Sequence, residues 1–174
     1  MSDDVAPPRR LDGPGYLLVV DGSEESAKAL RYGAGRAKSV NGNITLLHVI
    51  APPEFMQWGG VQDMIAAEAQ EAAELALSRA SEDVARLTGI TPSLAIRQGK
   101  VVEEVSAAFA EDPRLSALIL GAAAKGNPGT LVSYFSGERA GTLSAVVIIV
   151  PGGLAESEID RLTGMDAEDA QPEA

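Results

Sequence analysis

The sequence predicts an open α/β fold in which a parallel sheet of five strands carries helices on both faces. Short apolar runs alternate with helical segments along the chain, which is typical of parallel strands joined by right-handed crossovers. Two of these runs, 17–20 and 118–120, end abruptly in small polar turns that begin at Asp21 and Gly121. Ligands bind at the carboxyl ends of such strands, so we expect a functional site where these two turns meet.

The first part of the chain contains two predicted strands and one helix. Residues 1–15 are rich in proline and glycine and are predicted to be a flexible leader. The first strand is predicted at 16–20, and Ser23 is the candidate N-cap of the helix that follows. An Asn-Gly-Asn turn at 41–43 ends this helix, and the second strand is predicted at 44–50.

A long helix is predicted over 62–88, with Gly89 as its C-terminal stop. The loop before it contains Phe55, Met56 and Trp58, which we expect to pack against this helix rather than to cover a pocket. Apolar residues at helical spacing predict the buried face of the helix. They are Ile65, Ala69, Ala72, Leu75, Ala80, Val84 and Leu87.

Three further strands complete the predicted sheet. They are expected at 93–97, 115–120 and 145–150, and the helix between the first two ends at Asp112-Pro113 because proline cannot continue it. A helix is expected at 131–140.

These elements define a predicted domain over residues 16–153. Residues 154–174 are expected to form an acidic C-terminal tail that is a solvated appendage, with one short helix near 157–162.

Composition excludes several classes of function. The net charge of −11 and the pI near 4.5 disfavour binding to nucleic acid or to an anionic membrane. The chain has no cysteine and a single histidine, His48, which excludes disulfides, zinc fingers and a histidine-cluster metal site. We expect His48 to be a structural residue of its strand. No apolar run is long enough to span a bilayer, and we expect a cytoplasmic protein.

Three glycine motifs fail as nucleotide fingerprints when they are placed on the predicted elements. Gly13-Pro14-Gly15 precedes a strand instead of following one, and Gly33-Ala34-Gly35 lies inside a helix. The segment from Gly121 to Gly126 begins like a P-loop but continues with Asn127-Pro128.

The chain nevertheless resembles the universal stress protein family, of the universal stress protein A type. The resemblance is carried by the segments 17–24, 45–50, 118–121 and 146–151, whose order and spacing agree from Tyr16 to Gly152. It implies a Rossmann-like sheet of the adenine nucleotide alpha hydrolase type, a homodimer in most members and an ATP site in many.

The resemblance also implies how a nucleotide would bind. Asp21 would face the ribose or adenine, and Val19 and Val49 would line the base pocket. Nucleotide-binding members carry Gly-x-x-Gly, nine residues and then Gly-Ser/Thr, which lets backbone amides approach phosphate oxygens. Here Ala124 replaces the second glycine, and Tyr134-Phe135 fall where Gly-Ser is expected, so the phosphate loop is predicted to be degraded. The candidate binding residues are Val19, Val20, Asp21, Val49, Gly121, Ala124, Lys125 and Gly126.

These observations leave two main functions open. The first is a regulatory or interaction protein that acts as a homodimer through the strand Ala145–Val150, and the degraded loop favours it slightly. The second is a module that binds ATP or AMP in the cleft between Asp21 and Gly121. Asp21 itself has two interpretations, since it could also be a helix-opening carboxylate that accepts from backbone donors. An enzyme that hydrolyses ATP slowly is the third alternative, but no catalytic residue and no metal is predicted.

Overall fold

A computed structural model of the chain describes residues 12–53 and 60–167. Most of the predicted leader, the loop residues Phe55, Met56 and Trp58, and the end of the predicted acidic tail lie outside the described residues. Across the described ranges the strands and helices alternate as the sequence predicts. None of the helices in these ranges is long and apolar enough to cross a membrane.

The described part of the chain forms one five-stranded sheet in the order β3-β2-β1-β4-β5, and all its pairings are parallel. This confirms the predicted fold class. The strands are β1 (Gly15–Val19), β2 (Asn43–Ile50), β3 (Ser93–Gln98), β4 (Leu115–Ala122) and β5 (Val146–Pro151).

Helices cover both faces of this sheet, as predicted. They are α1 (Glu24–Ser39), α2 (Gly60–Thr88), α3 (Val101–Glu111), α4 (Thr130–Ser136) and α5 (Glu156–Thr163), and a 3-10 turn follows at Met165–Ala167. Alternate strand residues separate two cores, because neighbouring side chains of a strand point to opposite faces. Leu18 packs with α1, α2 and α5, whereas Leu17 packs with α3 and α4.

The fourth strand is two residues longer than its apolar run. Gly121 pairs with Val150 and Ala122 pairs with Pro151, so the loop after β4 begins at Ala123. Gly121 is therefore a strand residue. A Cβ on Gly121 would collide with the backbone of Glu25 in α1, so this glycine is required by helix–sheet packing whether or not a ligand binds.

The buried face of α2 differs from the predicted one. Its buried residues are Ala73, Leu77, Ala80 and Val84, whereas Ile65 and Leu75 are about half exposed. The prediction is wrong for Ile65, Ala72 and Leu75, which are exposed, and it is confirmed for Ala80 and Val84. Residues 60–68 are exposed throughout, so the first turns of α2 lie clear of the other described elements.

The acidic segment after β5 contributes to the core. Ile159 of α5 is completely buried, and Asp160 accepts two hydrogen bonds from Arg31 of α1, at 2.7 and 2.6 Å. Glu156 lies 3.4 Å from the same guanidinium. The prediction of a solvated appendage at 154–174 is wrong for the described part of this segment, which packs against α1. Gly35 of α1 leaves room for Thr163, which explains one glycine of the Gly33-Ala34-Gly35 motif.

Candidate functional site

A cleft opens at the carboxyl ends of β1, β2 and β4, where the sequence predicts the site. Its volume is about 270 Å³, and it is closed by the first turns of α1, α3 and α4. An adjoining outer hollow of about 600 Å³ shares Val49, Val101 and Thr130 with the cleft. The cleft is lined by Val19, Val20, Asp21, Ser23, Glu25, Ser26, Val49, Val101, Leu120, Gly121, Pro128, Gly129, Thr130, Leu131 and Val132.

Another hollow, of about 460 Å³, lies towards the amino-terminal ends of β1, β2 and β4. Its charged side chains pair with one another. Arg97 donates to Glu111 at 3.1 Å, and Arg114 donates to Asp112 at 2.8 Å. The hydrogen bond from Arg97 lowers the pKa of Glu111, and the hydrogen bond from Arg114 lowers that of Asp112. Groups that are already paired have little left to offer a ligand, so the cleft at the carboxyl ends is the better candidate.

Asp21 belongs to both the helix cap and the cleft wall. Its Oδ1 accepts from the backbone N–H of Ser23 at 2.9 Å and from the Ser23 hydroxyl at 2.6 Å. Ser23 Oγ in turn accepts from the N–H of Ser26 at 3.1 Å, so the predicted N-cap is confirmed. The helix-opening role of Asp21 is thus present, and its carboxylate still lines the cleft, where its second oxygen makes no hydrogen bond within the described residues.

Aliphatic side chains form the walls on either side of Asp21. Val19 and Val49, which the sequence predicts as the walls of a base pocket, both line the cleft and are half-buried. Val101, from the first turn of α3, adds a third apolar wall that the sequence analysis did not select. The Gly99-Lys100 turn could have identified Val101 from the sequence, because this turn follows β3 at the same edge of the sheet and leads directly into α3.

The loop after β4 departs from the predicted arrangement. Ala124, Lys125 and Gly126 are exposed and do not line the cleft. The prediction that Tyr134 and Phe135 occupy the opening of the next helix is wrong, because α4 begins at Thr130 and Phe135 is buried in the core beneath it.

The residues that do open α4 are Gly129 and Thr130, and both line the cleft. Gly129 has φ +113, a conformation that favours glycine, and a Cβ built there would meet nothing within 4 Å. Asn127 Oδ1 accepts a hydrogen bond from the backbone N–H of Gly129 at 2.9 Å. The family pattern does not predict this Gly-Thr pair, because it places Gly-Ser/Thr nine residues after the second glycine position. The loop of this chain is shorter, and the signal was a Gly-Thr directly after a proline.

His48 does not line the cleft. His48 lies on the β2 face of Ile44 and Leu46, opposite to Val49, and its Nδ1 is buried without a hydrogen-bond partner among the described residues. Within residues 12–53 and 60–167, no group of three or more His, Cys, Asp or Glu side chains could hold a metal ion.

Comparison with known proteins identifies a family and similar solved structures. The sequence profile of the universal stress protein family matches residues 16–134. Among solved structures, universal stress protein UspA from Lactobacillus plantarum has a TM-score of 0.63 at 18% identity, covering 81% of this chain and 99% of its own. A comparison with curated proteins finds no match.

Two similar structures contain adenine nucleotides. A universal stress protein family protein from Arabidopsis thaliana, with AMP bound, has a TM-score of 0.57 at 12% identity and covers 79% of this chain and 91% of its own. A universal stress protein in complex with cAMP has a TM-score of 0.51 at 17% identity and covers 81% of this chain and 98% of its own. At these identities the likeness shows the fold.

Proposed function

The chain belongs to the universal stress protein family, and we propose that it is a regulatory module that binds an adenine nucleotide or nucleoside in the cleft. One observation carries the proposal. Val19, Asp21 and Val49, which the family resemblance implies as the adenosine site, line the same cleft at the carboxyl ends of β1 and β2. Aliphatic walls beside one polar group are what an aromatic base and a ribose require.

The Gly129-Thr130 pair supports this function over one without a nucleotide. The degraded loop was the reason for favouring an interaction protein, and that reason had two parts: Ala124 in place of the second glycine, which stands, and Tyr134 filling the phosphate space. Tyr134 instead lines the outer hollow, one turn into α4. The relatives with AMP and cAMP bound make a ligand of the same class a natural first choice for this chain.

We propose binding rather than catalysis. Asp21 is engaged through Oδ1 with Ser23, which suits a positioning group better than a general base. Nucleotides of this class are abundant in the cytoplasm, which is the compartment we propose.

A second proposal concerns the edge of the sheet. The strand Ala145–Val150 was predicted to pair with its copy, and β5 is an edge strand on which Val146 is 63% and Ile149 37% exposed. Unpaired backbone groups and exposed β-branched side chains at an edge favour pairing with a second copy. We therefore propose a homodimer through β5, in which a two-fold axis makes the pairing antiparallel.

Titration calorimetry with adenosine, AMP, cAMP and ATP tests the proposed site. Val49→Trp fills the space that both the cleft and the outer hollow share, so it should abolish binding. Val61→Trp is the matched control, because Val61 is exposed on α2 and does not line the cleft. Failure of all four ligands to bind the unmodified protein at millimolar concentration, or equal loss in the two variants, would overturn the proposal.

A further inference from the structure

Both charged side chains that line the cleft are acidic, and one of them has no partner. Asp21 is engaged by Ser23. Glu25, in the first turn of α1, is half-buried and makes no hydrogen bond or ion pair with any residue in the ranges 12–53 and 60–167. A carboxylate that no cation neutralises repels other anions that enter the space it lines.

Glu25 lies at the end of the cleft next to the loop that follows β4. A Cβ built on Gly121 would lie 3.0 Å from Glu25 Cβ. A Cβ built on Gly152 would lie 3.3 Å from Glu25 Cβ and 3.4 Å from the backbone nitrogen of Ala124. Glu25 therefore lies next to the start of the loop between β4 and α4, and the other end of this loop, at Gly129, also lines the cleft.

Cations near the cleft do not offset these two carboxylates. No lysine or arginine lines the cleft within the described residues, and Lys125 of the predicted phosphate loop is exposed and is not part of the lining. In the outer hollow, Lys100 lies 3.4 Å from Glu103, so this pair is neutral. The charged side chains of the lining are thus both acidic.

From this geometry we propose that the cleft selects adenine ligands of low negative charge, adenosine and adenosine monophosphate, and that Glu25 is the residue that disfavours a triphosphate. The proposal rests on the proposed adenine site and names its ligand class. Each added phosphate brings about one further negative charge to the loop end of the cleft. Two unit charges that lie ~6 Å apart in partly solvated surroundings interact with a free energy equivalent to about a tenfold change in affinity, and we take this as the scale of the effect.

Calorimetric titration of the full chain with adenosine, AMP and ATP, without Mg²⁺, tests this selection. We expect ATP to bind at least about tenfold more weakly than AMP. Glu25→Gln should tighten ATP binding about tenfold and leave adenosine unchanged. Glu24→Gln is the matched control, since it removes the same charge from the same helical turn at an exposed position outside the cleft.

Salt supplies a second readout on the unmodified protein. Raising the ionic strength from about 20 mM to about 300 mM screens the repulsion, so ATP binding should tighten, whereas binding to a cationic phosphate site would weaken. This measurement needs no variant and therefore does not depend on the folding of Glu25→Gln.

The outcomes separate the two proposals. If adenosine and AMP bind and ATP binds as tightly or weakens with salt, the charge selection is overturned and the adenine site stands. If Glu25→Gln and Glu24→Gln change ATP affinity equally, the assignment to Glu25 is overturned. If none of the three ligands binds, the proposed adenine site itself fails, and the selection fails with it.

Discussion

Truncation of Ile159 tests whether the acidic C-terminal segment is part of the folded domain. Its side chain is 0% exposed and belongs to the core on the α1 face of the sheet. Ile159→Ala removes three buried carbon atoms and leaves a cavity, which together cost about 3 kcal/mol. For a chain of this size, that loss lowers the melting temperature by about 9 °C.

Urea denaturation followed by circular dichroism measures the loss directly. Leu162→Ala is the matched control, because Leu162 lies in the same helix and is 51% exposed. We expect the control to change the free energy of unfolding by less than about 0.5 kcal/mol. Equal effects of the two truncations, or no effect of either, would contradict the packing of α5 and return this segment to a solvated appendage.

Two further predictions concern the sheet edge and the ion pairs. Ile149→Lys places a charge against its own copy across the proposed two-fold axis, so this variant should be a monomer in size-exclusion chromatography with light scattering. Leu94→Lys, on the opposite edge strand β3, is the control and should remain a dimer. An unmodified protein that is already monomeric at tens of micromolar would contradict the proposed dimer. Because the hydrogen bond from Arg97 lowers the pKa of Glu111, the pair stabilises the fold above the ordinary value of 4.5, and this contribution is lost as the pH falls from 4.5 through the lower folded value. Glu111→Gln should flatten the pH dependence of stability in that window, and an unchanged profile would refute the assignment.

The sequence predicts the sheet well because each strand is locally encoded. Buried parallel strands read as continuous apolar runs, as at 17–20 and 118–120, and the Ser23 cap is set by residues within three positions. The end of β4 is different, since Gly121 and Ala122 join the strand only by pairing with β5, whose residues lie far along the chain. The buried face of α2 and the packing of Ile159 likewise depend on which element a helix meets.

The candidate site was predicted in part for the same reason. Val19, Asp21 and Val49 sit at strand ends, and their positions follow from the strands. The start of α4 does not follow from the strands, because the length of the loop between β4 and α4 can vary. A fixed spacing therefore selected Tyr134, whereas the structure opens α4 at Gly129 and Thr130.

A crystal structure of the protein grown with adenosine monophosphate tests the central claim most directly. We predict density for the adenine between Val19 and Val49, with the ribose beside Asp21 and the phosphate at the Gly129-Thr130 end of the cleft. An empty cleft at saturating ligand, or a nucleotide bound elsewhere on the molecule, would contradict the proposed site.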